Sequence, residues 1–320
     1  MREYIINSND AGQRLDKFLT KTLPAMPKSA MYKAIRKKDI KLNAKRCDIS
    51  DCLKEGDVLR VYIKDDVLGE EKKNEQKSCS FLKACDISSD IVYEDDNIMI
   101  INKKCGSVIH PDKTITENTI VDRVKKYLYE KNEYSPQDEN SFAPAVCNRL
   151  DRNTQGLVIA AKNAAALRAV NEKIRNSTIS KHYLCLSASM PPKMSDKAYA
   201  YHRKDGTTNK VTIRAKPCEG YKQIITGYTV VKRLTDCNLI DVELFTGRTH
   251  QIRAHLAFLG CPIIGDAKYG SKTVNEKFGL RYQALCAYKL IFMPDSEPGL
   301  LSYLDSKSFE ISDIWFSGIK

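Results

Sequence analysis

Residues Leu157-Val158-Ile159-Ala160-Ala161 are apolar at five consecutive positions, the pattern of a strand buried on both faces. Entering this strand is the turn Asn148-Arg149-Leu150-Asp151-Arg152-Asn153-Thr154-Gln155-Gly156, which sets an acid between two arginines and closes on a glycine. About a hundred residues later, Phe245-Thr246-Gly247-Arg248-Thr249-His250-Gln251-Ile252-Arg253-Ala254-His255 reads as a strand-to-helix turn dense in cations and hydrogen-bonding groups. Together the two segments look like one polyanion-binding catalytic site.

At 320 residues the chain suits two domains better than one. No stretch approaches the roughly 18–20 apolar residues of a membrane helix, and Met1-Arg2-Glu3-Tyr4-Ile5 lacks a signal-peptide core, so the expected location is cytoplasmic. The eleven cysteines are odd in number and include no C-x-x-C pair, which argues against a disulfide framework and a zinc ribbon. His250 and His255, five apart, fall on different faces of a helix, so no metal site is expected.

The net charge of +12 is unevenly placed. Lys28, Lys33, Arg36, Lys37, Lys38, Lys41, Lys45 and Arg46 fall in one window whose only acid is Asp39. A patch of one sign and this density points to nucleic acid or another anionic surface, against the plainer reading of a soluble basic face.

Residues 1–63 read as a small ααββ-type module, with helices at Arg14–Leu23 and from Ser29, as N-cap, to Lys37, then strands Ile40–Leu42 and Val58–Ile63. Residues 64–80 are polar and charged and read as a flexible linker. Residues 81–320 form the second expected domain. It opens with a hairpin over Ile91–Lys103 and has helices at Ile120–Glu130, Ala164–Arg175 with Asn163 as N-cap, and Thr249–Leu259. Strands are expected at Gly156–Ala161, His182–Ser187, Lys210–Ala215, Ile224–Leu234, Leu239–Phe245, Leu285–Met293 and Phe309–Phe316. Many strands, few helices and no regular βαβ alternation make this an α+β domain with a mainly antiparallel mixed sheet.

From the residues alone, Asp151 between Arg149 and Arg152 should stay ionised and suits a nucleophile or base, or else belongs to a surface ion-pair turn without function. Gly247-Arg248-Thr249-His250 opens a helix whose N–H groups favour an anion, with Arg248, Arg253 and His250 as further donors; solvated arginines on a capped helix are the alternative.

The blocks Arg14–Leu19, Ser29–Arg36, Ile40–Asn43 and Lys54–Asp57 resemble the small RNA-binding domain shared by ribosomal proteins and several RNA-modifying enzymes. The turn Asn148–Gly156 is similar to the H-R-L-D-x-x-T-S-G motif of the RluA family of pseudouridine synthases, and Thr246–His255 to its T-G-R-T-H-Q-I/L-R-x-H motif. Lys181–Leu186, Gly260–Gly270 and Gln283–Phe292 follow in the family's order. The resemblance implies conversion of uridine to pseudouridine in structured RNA without a cofactor, with ribosomal RNA ahead of transfer RNA, by a monomer needing no protein partner. It implies that Asp151 is the catalytic aspartate, that Tyr183 stacks on the target base and assists removal of the C5 proton, and that Arg248 pairs with Asp151. By the same resemblance Arg149 fills the space left by a flipped base, Leu285 lines the uracil pocket, and Thr249, His250 and Arg253 bind substrate. Lys33, Arg36, Lys37, Lys38, Lys41, Lys45 and Arg46 would carry RNA binding in the first module. Asn148, Gln155 and Cys286 depart from the motif's histidine, serine and late histidine. A non-catalytic RNA-binding or assembly protein that kept the fold is the rival reading. A hydrolase or nuclease would need a second acid or metal cluster, and none is legible.

Overall fold

A computed structural model describes residues 1–63, 79–112, 114–206 and 210–319. The first element is a strand absent from the sequence reading, β1 (Arg2–Ile5), followed by α1 (Leu15–Thr22), α2 (Lys28–Lys37), β2 (Ile40–Leu42), β3 (Lys45–Arg46) and β4 (Val58–Val61). They form a four-stranded sheet in the order β1-β4-β2-β3. The short β3 was also unread; Asn43 and Ala44, both at positive φ, make the two-residue turn that folds it onto β2. Ser29 does not cap α2, because the helix already begins at Lys28 with Pro27 as its N-cap residue. Phe18, Leu19, Met31, Ile35, Leu59 and Val61 build a core belonging to this module alone.

The expected linker falls largely on residues 64–78, outside the described residues. Its last two positions open a 3-10 helix, Cys79–Lys83, whose Phe81 packs edge-on against Tyr129. Then come β5 (Ile91–Glu94), β6 (Ile98–Lys103), α3 (Ile120–Glu130), β7 (Ala145–Val146), β8 (Gln155–Ala161), α4 (Ala164–Arg175), β9 (Ile179–Ser187), β10 (Ser195–Lys204), β11 (Val211–Arg214), β12 (Lys222–Arg233) and β13 (Asn238–Leu244). The chain continues through α5 (Gln251–Phe258), α6 (Lys272–Phe278), β14 (Leu285–Phe292) and β15 (Ser308–Glu310). The expected strand at Phe309–Phe316 shrinks to β15, because the chain makes one more bond to β14, Ile311 N–H to Tyr288 O at 3.0 Å, and then spends Trp315 N–H on the Gln155 side chain at 3.1 Å.

The large sheet has eleven strands, with the path β11-β10-β12-β13-β9-β14-β8-β6-β5, β15 beside β14 and β7 beside β8. β8 and β14 run parallel, whereas the other recorded pairs are antiparallel. All seven residues of β8 are buried, as its unbroken apolar run requires. Leu157 and Ile159 face a core shared with α4, while Val158 and Ala160 face the one under α3. α4 is capped by Asn163, which accepts from Ala166 N–H at 2.8 Å, and α3 by a reciprocal Thr119–Asp122 box. A third core, with Tyr183, Leu285, Ile252 and Leu256, lies under α5.

Gly156 shows why the site sits where β8 meets β14. Its φ is +132°, and a Cβ there would lie 2.3 Å from Ala287 O. Only glycine lets the two backbones approach this closely at the point where the Asp151 turn enters the sheet.

The two sheets are joined by polar contacts. Asp10, fully buried, accepts from Asn140 Nδ2 at 2.7 Å and Ser141 Oγ at 2.6 Å. Asn9 Oδ1 accepts from Ala164 N–H at 2.9 Å, and Arg168 donates to Ala11 O at 3.1 Å.

Candidate active site

The Asp151 turn is held from beneath by a lysine. Lys103, at the end of β6, is completely buried and donates through Nζ to the carbonyls of Arg152 at 3.0 Å, Ser107 at 3.1 Å and Lys104 at 3.2 Å, using all three of its protons. Gly106 N–H also donates to Arg152 O, and Thr154 N–H to Asp151 O, both at 3.0 Å. Gln283 Nε2 closes the turn on Thr154 Oγ1 at 3.1 Å. Burial lowers the Lys103 pKa to about 8, nearby Cys105 and Asp151 opposing it only in part.

Below about pH 8 both folded and unfolded chains hold the Lys103 proton and the burial penalty is full; from there toward about pH 10.5 the folded chain releases it first and the penalty is relieved. The stability of the wild type relative to Lys103→Met, from urea unfolding, is therefore expected to improve between about pH 7.5 and about pH 10. A difference independent of pH would show that this ammonium is not held in the way described.

The cation facing Asp151 is Arg253, which corrects the sequence-based pairing. Arg253 Nη1 lies 2.7 Å from Asp151 Oδ2, while Nε and Nη2 fork onto Asp266 at 2.6 and 2.9 Å. Arg248 is exposed, and its backbone N–H donates to Gln251 Oε1 at 3.1 Å. The reason is helical phase: His250, in the left-handed conformation, is the N-cap residue, so the helix begins after Arg248 and Arg253 is the residue it projects inward. Asp266, fully buried, was not singled out from sequence. It also accepts from Lys268 and Tyr269 N–H at 2.8 and 3.1 Å. Burial alone would raise its pKa, but the Arg253 fork overcomes this and holds the carboxyl below its ordinary range. An arginine flanked by Ile252 and Ala254 on a buried helix face demands such a partner, and this was the available signal.

His250 Nδ1 and Tyr269 OH share a hydrogen bond at 2.9 Å, and that hydroxyl also accepts from Val211 N–H at 3.1 Å. The His250 Nε2 lies 3.9 Å from Asp151 Oδ2. Burial lowers the His250 pKa, partly opposed by Asp151. Thr249 is exposed and contributes its carbonyl, which accepts from His202 Nε2 at 2.9 Å.

Tyr183 and Leu285, on neighbouring strands β9 and β14, are buried in one cluster with Ile252, and Leu150 of the Asp151 turn packs against it. Burial, and after it the Asp151 charge, pushes the Tyr183 phenol well above its ordinary pKa. Arg149 is exposed at the rim. The three departures are absorbed locally. Asn148 Oδ1 accepts from Ile159 N–H at 2.8 Å, Gln155 Nε2 donates to Asp313 O at 2.8 Å, and Cys286 is wholly buried, its thiol pushed up to about 12 by burial.

In the first module, Lys33, Arg36, Lys37, Lys38, Lys45 and Arg46 are exposed on α2, its C-cap and β3, and Lys41 lies 5.3 Å over the Tyr62 ring. Among the described residues none of the seven is ion-paired to a carboxylate. No group of His, Cys, Asp or Glu suited to a metal occurs among the described residues, and no helix there is long and apolar enough to cross a membrane.

The sequence profile of the RNA pseudouridylate synthase family matches residues 97–258. An uncharacterized RNA pseudouridine synthase from Mycoplasma capricolum subsp. capricolum is 35% identical over 99% of both chains. The ribosomal large subunit pseudouridine synthase C of Vibrio cholerae is 31% identical over 92% of this chain and 90% of its own. Among solved structures, human RNA pseudouridylate synthase domain containing 4 shares the fold with a TM-score of 0.52 at 22% identity, covering 64% of this chain and 85% of its own.

Proposed function

The chain belongs to the RNA pseudouridylate synthase family and is an enzyme of that class, and from this premise we propose that it isomerises specific uridines of ribosomal RNA in the cytoplasm, with Asp151 as the catalytic residue. The observation carrying the assignment is the 2.7 Å pair between Asp151 Oδ2 and a buried Arg253, beside the Tyr183–Leu285 cluster. The pair keeps the carboxylate ionised and aimed, as a base requires.

A uridine flipped out of its stack costs a few kcal/mol, which phosphate contacts offset. Arg149 at the exposed rim is suited to occupy the vacated space, and Leu285 and Tyr183 to flank the uracil. Asp151 removes the C2′ proton as the C1′–N1 bond breaks, leaving a ribose-derived glycal and a uracil anion. The uracil turns, C5 bonds to C1′, C2′ recovers its proton, and the C5 proton passes to solvent. With its pKa raised, Tyr183 enters this sequence as a neutral phenol, so its part in C5 deprotonation is to stack and relay rather than to act as a standing phenolate. The exposed basic face of residues 33–46 supports RNA binding by the first module, and the names of relatives such as the Vibrio cholerae protein support the ribosomal target. A monomer suffices, since both site segments come from one chain.

The test is tritium release from C5-tritiated uridine in RNA taken from a strain lacking the protein, fractionated into ribosomal and transfer RNA. Release from the ribosomal fraction is expected. Release from transfer RNA alone would overturn the target, and none from either would overturn the activity. Replacing Lys37, Lys38 and Arg46 together by alanine is expected to lower the salt slope of RNA binding by about 2–3 while leaving turnover of bound RNA nearly intact. An unchanged slope would remove the basic module from the binding site.

A further inference from the structure

β10 alternates buried and exposed residues in an unusual sense. Ala198, Ala200 and His202 point to the side of α5, where His202 meets Thr249, whereas Lys197, Tyr199, Tyr201 and Arg203 point away from it. Tyr199 is 56% exposed. Register places Arg214 of the edge strand β11 opposite Tyr201, on the same outer face. Arg203 and Arg214 both lie against the Tyr221 ring, at 5.0 and 5.1 Å from its centroid, and Lys197 lies 3.8 Å over Phe245.

Two guanidiniums gathered on one ring concentrate positive charge that a bound anion would favourably offset. Among the described residues neither is ion-paired to a carboxylate. Farther along this face, the acids of β13 are engaged elsewhere: Glu243 accepts from Ser180 Oγ at 3.0 Å, and Asp241 pairs with His182 at 3.1 Å. The edge of the sheet therefore presents aromatic rings interleaved with cations that have no carboxylate partner among the described residues, on the side opposite the Asp151 site. Rings at every second strand position offer stacking surfaces to unpaired bases, and the cations between them suit the intervening phosphates.

We infer that the outer face of β10–β12, through Tyr199, Tyr201, Tyr221, Arg203 and Arg214, is a second RNA contact that holds a single-stranded segment flanking the target. It rests on the RNA substrate of the proposed function but not on the identity of the catalytic residue. Charge selects a polyanion as occupant, and the exposed Tyr199 ring selects unpaired strand over duplex, whose bases are already stacked.

The experiment measures fluorescence anisotropy of the full chain with fluorescein-labelled oligouridylate of about twelve nucleotides, within the site sizes of single-strand binders, and with a duplex of the same length. Tyr199→Ala/Tyr201→Ala is expected to weaken single-strand binding roughly 10- to 100-fold with duplex binding little changed. Tyr199→Phe/Tyr201→Phe, which keeps the rings, should bind as wild type, separating stacking from damage to the strand. Asp151→Asn should also bind as wild type. Equal loss on both probes, or no loss on either, overturns the platform, as does a dimer abolished by the alanine pair without effect on RNA. Were wild type inactive in tritium release yet the tyrosine variants selectively impaired on single strand, the platform would stand and the catalytic reading alone would fall.

Discussion

Asp151→Asn is expected to reduce tritium release roughly 10²- to 10⁴-fold, the range lost with a positioned acid–base group, while RNA binding and urea stability stay near wild type. Asparagine preserves the shape of the side chain and can still offer a carbonyl oxygen to Arg253 Nη1, now at 2.7 Å from Asp151 Oδ2, so the turn need not rearrange. It cannot take up a proton from C2′. The turn itself is fixed by backbone contacts, to Lys103 and Gly106, that do not involve the carboxylate. The comparison is made at saturating RNA, so that turnover and not affinity is read. Retained release would exclude Asp151 as the base; loss of binding together with release would make it a contact for RNA.

Arg253→Met should affect both stability and chemistry. Arg253 is 9% exposed and bridges two carboxylates, one of which, Asp266, has no exposure at all. Removing the cation leaves Asp266 charged and buried with only the Lys268 and Tyr269 N–H groups for compensation. Breaking a buried pair in this way costs about 3–5 kcal/mol, which urea unfolding would register as a fall in midpoint without a change in slope. Asp151 loses its clamp as well, so release should fall even in the fraction that remains folded. Arg253→Lys separates the two effects. An ammonium can satisfy one carboxylate but cannot reproduce a fork on Asp266 plus a third bond to Asp151, so stability should recover more than activity. Equal stability of Arg253→Met and wild type would mean that Asp266 takes up a proton at little cost and that the bridge is not a structural element.

The outline of the site was legible because motif spacing survives folding: Asp151, Tyr183, Leu285, His250 and Arg253 lie in two segments and two strands that the sheet brings together. The choice between Arg248 and Arg253 was not, because it depends on whether the helix begins before or after His250, a one-turn question settled by a left-handed backbone at a non-glycine residue. Asp266 lay outside the reading because its significance comes from total burial, which a single acid in a loop does not announce. Most of the strands could be read from β-branched runs, yet β10 could not. Its buried positions are alanine and histidine and its exposed ones are tyrosine, so the apolar alternation that marks a strand is inverted in amplitude. Likewise β3 is two charged residues long and exists only because a tight turn returns it to β2.

The single parallel junction of the large sheet, Gln155–Gly156 against Cys286–Ala287, also sets an order of events during synthesis. The basic module closes its core from residues near the N-terminus, all within a short span of chain, and can be complete early on the ribosome. The Asp151 turn emerges later but then waits for Arg253, Asp266 and finally β14, more than a hundred residues downstream, before its carboxylate is clamped and its strand is flanked. A nascent chain therefore completes its basic module well before its Asp151 site, and an interrupted translation product would carry the first without the second.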